Sequence, residues 1–347
     1  FDEDGAFVSS DLVRTFSQQD FVSAGNVSVA ITSGAVGGSI FTNGAGGTNT
    51  VTLGADSSIG GVVSQNSRYS ALAYDRTQIS TSTPTGSTFT EEYAETRTAS
   101  GGDVSATVAG TIGIGDVDPL GYGDLATAGG NSLSLSTDAG SAIATVSGQV
   151  RNGISVIASG AETTFAFQEE REDGLRTSYS EQRTSARTGG TATLTVNAAN
   201  ADIPANFGNI TVFGLEGSSA TIGANSSVLA ATNGASMQVG TFFFDTASTR
   251  EDEYTNGVLT GQTTTFERSG TGGAATLTNS GRIGYDGGAA FDGTSAFAGV
   301  YSTTAATAVN NGQIFGSIGA FSLYEDISST TTRTDLNDVT RTDTTTT

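Results

Sequence analysis

The stretch G-D-V-D-P-L-G-Y-G-D at 115–124 gathers the best set of hard oxygen ligands in the chain. Asp116, Asp118 and Asp124 alternate around a Gly/Pro turn, as the carboxylates in the first half of a calcium loop do. The closing Glu of such a loop is missing, and Thr127 stands where EF-hand spacing would place it. The segment reads as an acidic surface loop, with bound Ca2+ as the alternative; no other cofactor is suggested. Carboxylate pairs of the glycosidase kind exist in name, as Glu91/Glu92, Glu169/Glu170 and Glu251/Glu253. Two such acids must flank a sugar cleft at about 5–10 Å. Here they recur on polar arms in a chain without Trp, and solvated faces are the expected reading. The chain has no His and no Cys, and all 14 basic residues are Arg, so Ser/His and Cys/His nucleophiles, common zinc sites and lysine bases cannot be built. The reading is of a protein that is not an enzyme. Phe242, Phe243 and Phe244 form the densest aromatic cluster, expected as a buried strand end where an arm roots into the body.

The elements that must position these residues are short strands. Among the 347 residues are 48 Gly and only 3 Pro, and brief Val/Ile/Leu/Phe alternations recur along the whole length. That pattern fits an ordered all-β chain with a thin core, and no segment reads as a long amphipathic helix. A net charge of −21 with scattered arginines disfavours nucleic-acid binding. No apolar run approaches the roughly 20 residues of a helical membrane span. The start Phe1-Asp2-Glu3-Asp4 is compatible with the position after a removed signal peptide, and a secreted, extracellular or cell-surface location is expected.

Self-comparison gives the organisation. R-T-A-S-G-G-D-V-S-A-T-V at 97–108 is echoed by R-T-G-G-T-A-T-L-T-V at 187–196 and by R-S-G-T-G-G-A-A-T-L-T at 268–278. The Gly pairs 101/102, 189/190 and 272/273 recur at roughly 80–90 residues, which divides the chain into 1–34, 35–110, 111–198, 199–280 and 281–347, the first partial and the last truncated. Upstream of each pair lie polar arms around T-P-T-G (83–86), Asp173-Gly174 and Asn256-Gly257, which predict projecting β-hairpins. Asn66-Ser67, Asn152-Gly153, Asn233-Gly234 and Asn311-Gly312 precede the arms as shared turn marks.

A fourth hairpin is expected from Phe321, Leu323 and Tyr324 through a turn near 335–337 to Val339 and Arg341, with no Gly-pair strand after it. The opening stretch 22–34, with Val22, Val27, Val29 and Ile31, matches that missing strand, and 12–21 corresponds loosely to a returning arm. Such a permuted repeat can close on itself, or meet the next molecule head to tail; arrays cut at arbitrary phase also look like this.

Segments such as 49–63, 277–288 and 309–321, short alternations punctuated by Gly and Asn, resemble the rungs of β-helical bacterial surface proteins, namely autotransporter passengers and filamentous adhesins. The resemblance implies a secreted β-solenoid that presents hairpins for adhesion or assembly. Tandem β-sandwich modules are the alternative fold; an outer-membrane barrel fits poorly without aromatic girdles. The leading functional expectation is an extracellular filament or surface-layer subunit whose partners are copies of itself, the residues 22–31 completing the hairpin of 322–347. The second is a glycan-binding adhesin or fibre module that does not polymerise, and the third a β-helical polysaccharide-cleaving enzyme.

Overall fold

The computed structural model describes residues 9–19, 25–44, 46–113, 133–150, 153–197, 206–207, 210–229, 236–284, 296–323, 326–333 and 339–346. All regular structure in them is β. The chain opens with β1 (Ser10–Gln19), β2 (Val27–Val36) and β3 (Ile40–Asn43), then β4 (Asn49–Ile59) and β5 (Val63–Ser67), and departs as a hairpin, β6 (Tyr69–Thr83) and β7 (Gly86–Ser100). It returns as β8 (Val104–Val108), β9 (Thr111–Ile112) and β10 (Leu133–Thr137), continues as β11 (Ala142–Val146), β12 (Gln149–Val150) and β13 (Ile154–Ala158), and departs again as β14 (Gly160–Glu172) and β15 (Leu175–Thr188). The same course gives β16 (Thr191–Val196), β17 (Asn206–Phe207), β18 (Ile210–Gly214), β19 (Gly217–Ile222), β20 (Ser227–Leu229), β21 (Ser236–Thr241) and a hairpin, β22 (Phe243–Thr255) and β23 (Val258–Thr271). Last come β24 (Ala274–Asn279), β25 (Arg282–Ile283), β26 (Ala296–Ser302), β27 (Ala306–Asn310), β28 (Gln313–Ile314), β29 (Gly316–Ser322) and the hairpin β30 (Asp326–Arg333) and β31 (Val339–Thr346).

These strands form three sheets. An 8-stranded parallel sheet runs β29-β26-β21-β18-β13-β10-β5-β3, and a 14-stranded parallel sheet carries the rest of the body. Within the latter, the long β4 pairs through residues 49–53 with β8 and through 58–59 with β9, so the sheet spreads into two wings joined at β2 and β4. Every strand lies beside the strand one pass earlier in the chain. Apart from one shift between Ile31 and Ser33 of β2, the registers of the body hold from pass to pass: one inward row reads Val29, Val51, Ala106, Ala144, Leu194, Ala220, Leu277, Ala308, and in the other wing the backbone aligns Val36, Ile59, Ile112, Val150, Asn206, Val228, Ile283 and Ile314. The alternation along each short strand sends one residue in two into a single core of Val, Ile, Leu and Ala.

The third sheet is antiparallel, nine-stranded, and made of the hairpins in the order β1-β6-β7-β14-β15-β22-β23-β30-β31. A hairpin replaces the connection between the 8-stranded and 14-stranded sheets on every second pass. On the intervening passes that corner is a short turn, as at 138–141, 215–216 and 303–305.

The Gly pairs stand at the necks where the first three hairpins return to the body. A Cβ on Gly189 or Gly272, both at positive φ (140° and 146°), would collide with the carbonyl of Ala158 or Thr241, the residue where the same hairpin departed. The second Gly meets the adjoining pass: a Cβ on Gly102 would fall on Gly47 and one on Gly273 on Glu216. Buried hydroxyls close the same corner, with Thr241 Oγ1 donating to the Gly273 carbonyl at 2.5 Å and Ser302 Oγ to that carbonyl at 2.8 Å. The Asn marks are not equivalent places: Asn66 lies inside β5, Asn311-Gly312 turns between β27 and β28, and Asn152 and Asn233-Gly234 lie outside the described residues.

Gly273→Ala is expected to destabilise the protein by about 1–3 kcal/mol, because backbone rather than a yielding side chain blocks the new methyl. Gly37→Ala, at a site with open space around it, should stay within about 0.5 kcal/mol of wild type in the same denaturant titration.

Candidate assembly surface

The two ends of the body and the hairpin sheet carry the features that sequence reading singled out. Val27, Val29 and Ile31 lie in β2, which pairs in parallel with β4 inside the body, not with a hairpin. This corrects the expectation that 22–31 completes the last hairpin: the β2 alternation turns Val29 and Ile31 onto the core, whereas a strand in the hairpin sheet has both faces outside it. The strand that does join the hairpin sheet is β1, antiparallel to β6 with Gln19 opposite Ala73 and Ser10 opposite Ser82. Phe321 is in β29 at the opposite end of the body, stacked on Tyr301 at 5.3 Å, and Leu323 follows it, its N–H donating to the Ser302 carbonyl at 2.8 Å. Val339 and Arg341 belong to β31, paired with Arg333 and Thr331. Val22, Tyr324 and the acidic triad Asp116, Asp118 and Asp124 lie outside the described residues.

At both ends the inward rows emerge half-buried. Val29, Ile31 and Val36 do so on β2, and Ala306, Ala308 and Ile314 on β27 and β28. Ile318 and Phe321 of β29 are exposed, as is Phe41 of β3, at 74% of its full surface. Among the described residues no strand covers the outer edges of β2, β3 and β27–β29.

The hairpin sheet is held by a ladder of rings and ion pairs on one face. Tyr74, Tyr93, Phe167 and Tyr179 stack in sequence at 6.1, 5.4 and 6.1 Å. Each tyrosine in Y-A-E-T-R (93–97) and Y-S-E-Q-R (179–183) donates its hydroxyl to the Glu two residues on, Tyr93 to Glu95 at 2.6 Å and Tyr179 to Glu181 at 2.7 Å, and that Glu also binds the Arg two further. This Tyr-x-Glu-x-Arg spacing, which places all three side chains on one strand face, is the local signal that sequence reading passed over. Glu169 is buried and takes a bidentate hydrogen bond from Arg176 (3.1 and 3.0 Å) besides Arg171. Asp252, 2% exposed, is bracketed by Arg250 (3.0 and 2.7 Å), Gln262 (2.9 Å) and the Tyr254 hydroxyl (3.2 Å). Glu91 is paired with Arg76 on the same face, and Glu170, one residue after Glu169 in β14, accepts from the Ser178 hydroxyl.

The tips and roots are also tied. Asp173 and Asn256 adopt φ of 49° and 52° before glycines at 79° and 75°, the geometry of tight mirror-image turns. Asp173 joins two tips, its Oδ1 accepting from the Ser87 N–H at 2.7 Å and its own N–H donating to the Ser87 carbonyl at 2.8 Å. At the root, Phe242–Phe244 are half-buried rather than buried: Phe242 meets Phe244 edge-on at 4.6 Å, and the Arg268 guanidinium lies 3.4 Å over the Phe244 ring. Such a cation replaces core contacts on an aromatic face left to solvent.

Burial raises the Glu169 carboxyl, but Arg176 and Arg171 outweigh it and hold it below the ordinary range; burial likewise raises Asp252, and Arg250 with Gln262 reverses that shift. Burial and the Glu181 carboxylate push the Tyr179 hydroxyl up to about 12. Because the folded pKa of both acids lies below the unfolded one, their contribution is complete above pH about 4–4.5 and is lost as pH falls through the folded value. Thermal melts should therefore drop on going from pH 5 to pH 3. Asp252→Asn is expected to cost about 1–3 kcal/mol at pH 7 and to flatten that acid dependence.

Compared with protein-family models, with curated proteins and with solved structures, the chain finds no match in any of the three.

Proposed function

We propose that the chain is a β-solenoid of eight rungs with a flanking hairpin sheet, and that it serves as an extracellular structural subunit stacking head to tail on copies of itself into a filament or surface layer. The observation that carries this reading is the pair of complementary open ends. Carried one rung further, the straight rows put Val27 and Val29 of the next copy on Ala306 and Ala308, and Ile31 on Asn310, which already accepts from Asn279 Nδ2 at 2.7 Å. Phe41 of the next copy would share a row with Gly319, a residue without a side chain beside the Phe321 ring. Val27, Val29 and Phe41 thus meet small residues, while Ile40 and Val36 meet the apolar Ile318 and Ile314. Covering them removes apolar surface from water and satisfies strand edges, the two drives of strand association. A charge of −21 on a lysine-free, Gly/Ser/Thr-rich chain supports a secreted setting and the likeness to bacterial surface proteins.

A second reading, a glycan-binding fibre module, is favoured by the ring ladder from Tyr74 to Tyr179, since sugar faces stack on such rings. Binding to a glycan array that is lost in Tyr93→Ala, by protein that stays monomeric, would promote it.

Negative-stain microscopy and light scattering on the intact protein test the first reading. Filaments with an axial rise of about 38 Å per subunit, eight strand spacings, are expected. Phe41→Asp and Ile318→Asp, which put a charge at one end or the other, should each suppress them while leaving circular dichroism unchanged. A wild-type protein that remains monomeric at high concentration would overturn stacking.

A further inference from the structure

The hairpin sheet has nine strands beside a body of eight passes. Both advance by one strand width per strand, so copies stacked rung on rung would bring two strands to one place in the hairpin sheet. Strand direction identifies the contenders. β6, β14, β22 and β30 run outward from the body, and β7, β15, β23 and β31 run back towards it, each antiparallel to its neighbours. β1 is antiparallel to β6 and so also runs inward. The place beside β30 needs an inward strand. β31 of the same copy fills it, and β1 of the next copy has the right direction to do so.

Resting on the head-to-tail reading above, we propose that β31 is a stand-in strand: during assembly β1 of the next copy displaces it from β30 and becomes shared, paired with its own β6 on one side and with β30 of its neighbour on the other. Register supports the exchange. The row from Gln19 runs through Ala73, Thr96, Thr164, Thr184, Ala247, Glu267 and Ser328 to Thr344, and the row from Arg14 runs through Gln78, Glu91, Glu169, Tyr179, Asp252, Gln262 and Arg333 to Val339. An incoming Arg14–Gln19 would thus face Arg333–Ser328 without a shift.

The cost of the exchange is small. β30 and β31 are 8 residues each, against 13 to 15 in the other hairpins, and Arg14–Gln19 restores six of the eight residue pairs broken when β31 leaves. Within the paired stretch β1 brings the exposed Phe16 to the place opposite Thr331 that Arg341 of β31 holds. The one adverse pair, Arg14 opposite Arg333, is weakened by physiological salt.

Cysteine pairs test the exchange in a chain that has none of its own. Ser17 and Thr330 are seven strand spacings apart in one copy, roughly 33 Å, but opposite each other after exchange. Filaments of Ser17→Cys/Thr330→Cys, oxidised with copper phenanthroline, should give a ladder of covalent dimers, trimers and longer species on a non-reducing gel. Thr330→Cys/Thr342→Cys, whose positions pair within one copy, should lock β31 in place when oxidised, slow elongation at least tenfold by light scattering, and recover on reduction. Filaments without the ladder, or a locked variant that elongates at the reduced rate, would overturn the exchange and leave stacking intact. No filaments from the reduced proteins or from wild type would overturn stacking itself, and the exchange with it.

Discussion

Hydrogen-bonded strands lie about 4.8 Å apart whether they run parallel or antiparallel, and the rest of this structure depends on that equality. Two body passes take up the same length as the two strands of one hairpin. A hairpin inserted on every second pass therefore lands beside the previous one, and edges that would otherwise be solvent-facing pair into a continuous antiparallel sheet. One hairpin per pass would crowd the sheet twofold, and one per three passes would leave gaps.

The same spacing dictates the necks. Outgoing and returning strands must leave the body within one strand width of each other and above the corner of the adjoining pass. Side-chain atoms have no room there, hence Gly189 and Gly272 against their own point of departure and Gly273 against the neighbouring corner. Where the glycines remove side chains, small hydroxyls do the tying: Ser67, Thr137, Thr241 and Ser302 are fully buried yet hydrogen-bonded, as a buried polar group must be.

Away from the body no apolar core lies on either face of the hairpin sheet among the described residues, and a different chemistry holds it. Tyr-x-Glu-x-Arg triads and the Arg250 clamp on Asp252 fix side chains along single strands, while the Arg176 clamp on Glu169, the Gln262 bond to Asp252 and the stacked rings link adjacent strands. Arginine suits these positions better than lysine, because its planar fork can bind a carboxylate edge-on and still lie over a ring, as Arg176 does with Glu169 and Tyr179. A single sheet thus combines an acidic exterior with paired acids inside the ladder.

Local chemistry was enough to read the turns at Asp173-Gly174 and Asn256-Gly257 and the short alternations, since each depends on residues within a few positions of one another; the Gly pairs were legible as a repeat, but not as necks, because what crowds them lies tens of residues away, as Ala158 does for Gly189 and Glu216 for Gly273. The all-β class followed from the turns and alternations. Pairing was beyond such reading. In parallel sheets a strand's partner comes from another pass, as Leu133 finds both Val63 and Ile154, and nothing in either segment names the other. For that reason the similarity of 22–34 to the Gly-pair strands was visible, but not that Val29 and Ile31 cover the core while Ser10–Gln19 extends the hairpin sheet. Residue types determined which segments could be strands and turns; only the tertiary structure decided which strand lies beside which and that the Gly pairs are necks, because backbone hydrogen bonds are indifferent to side-chain identity and their register is set by the packing of all the strands together.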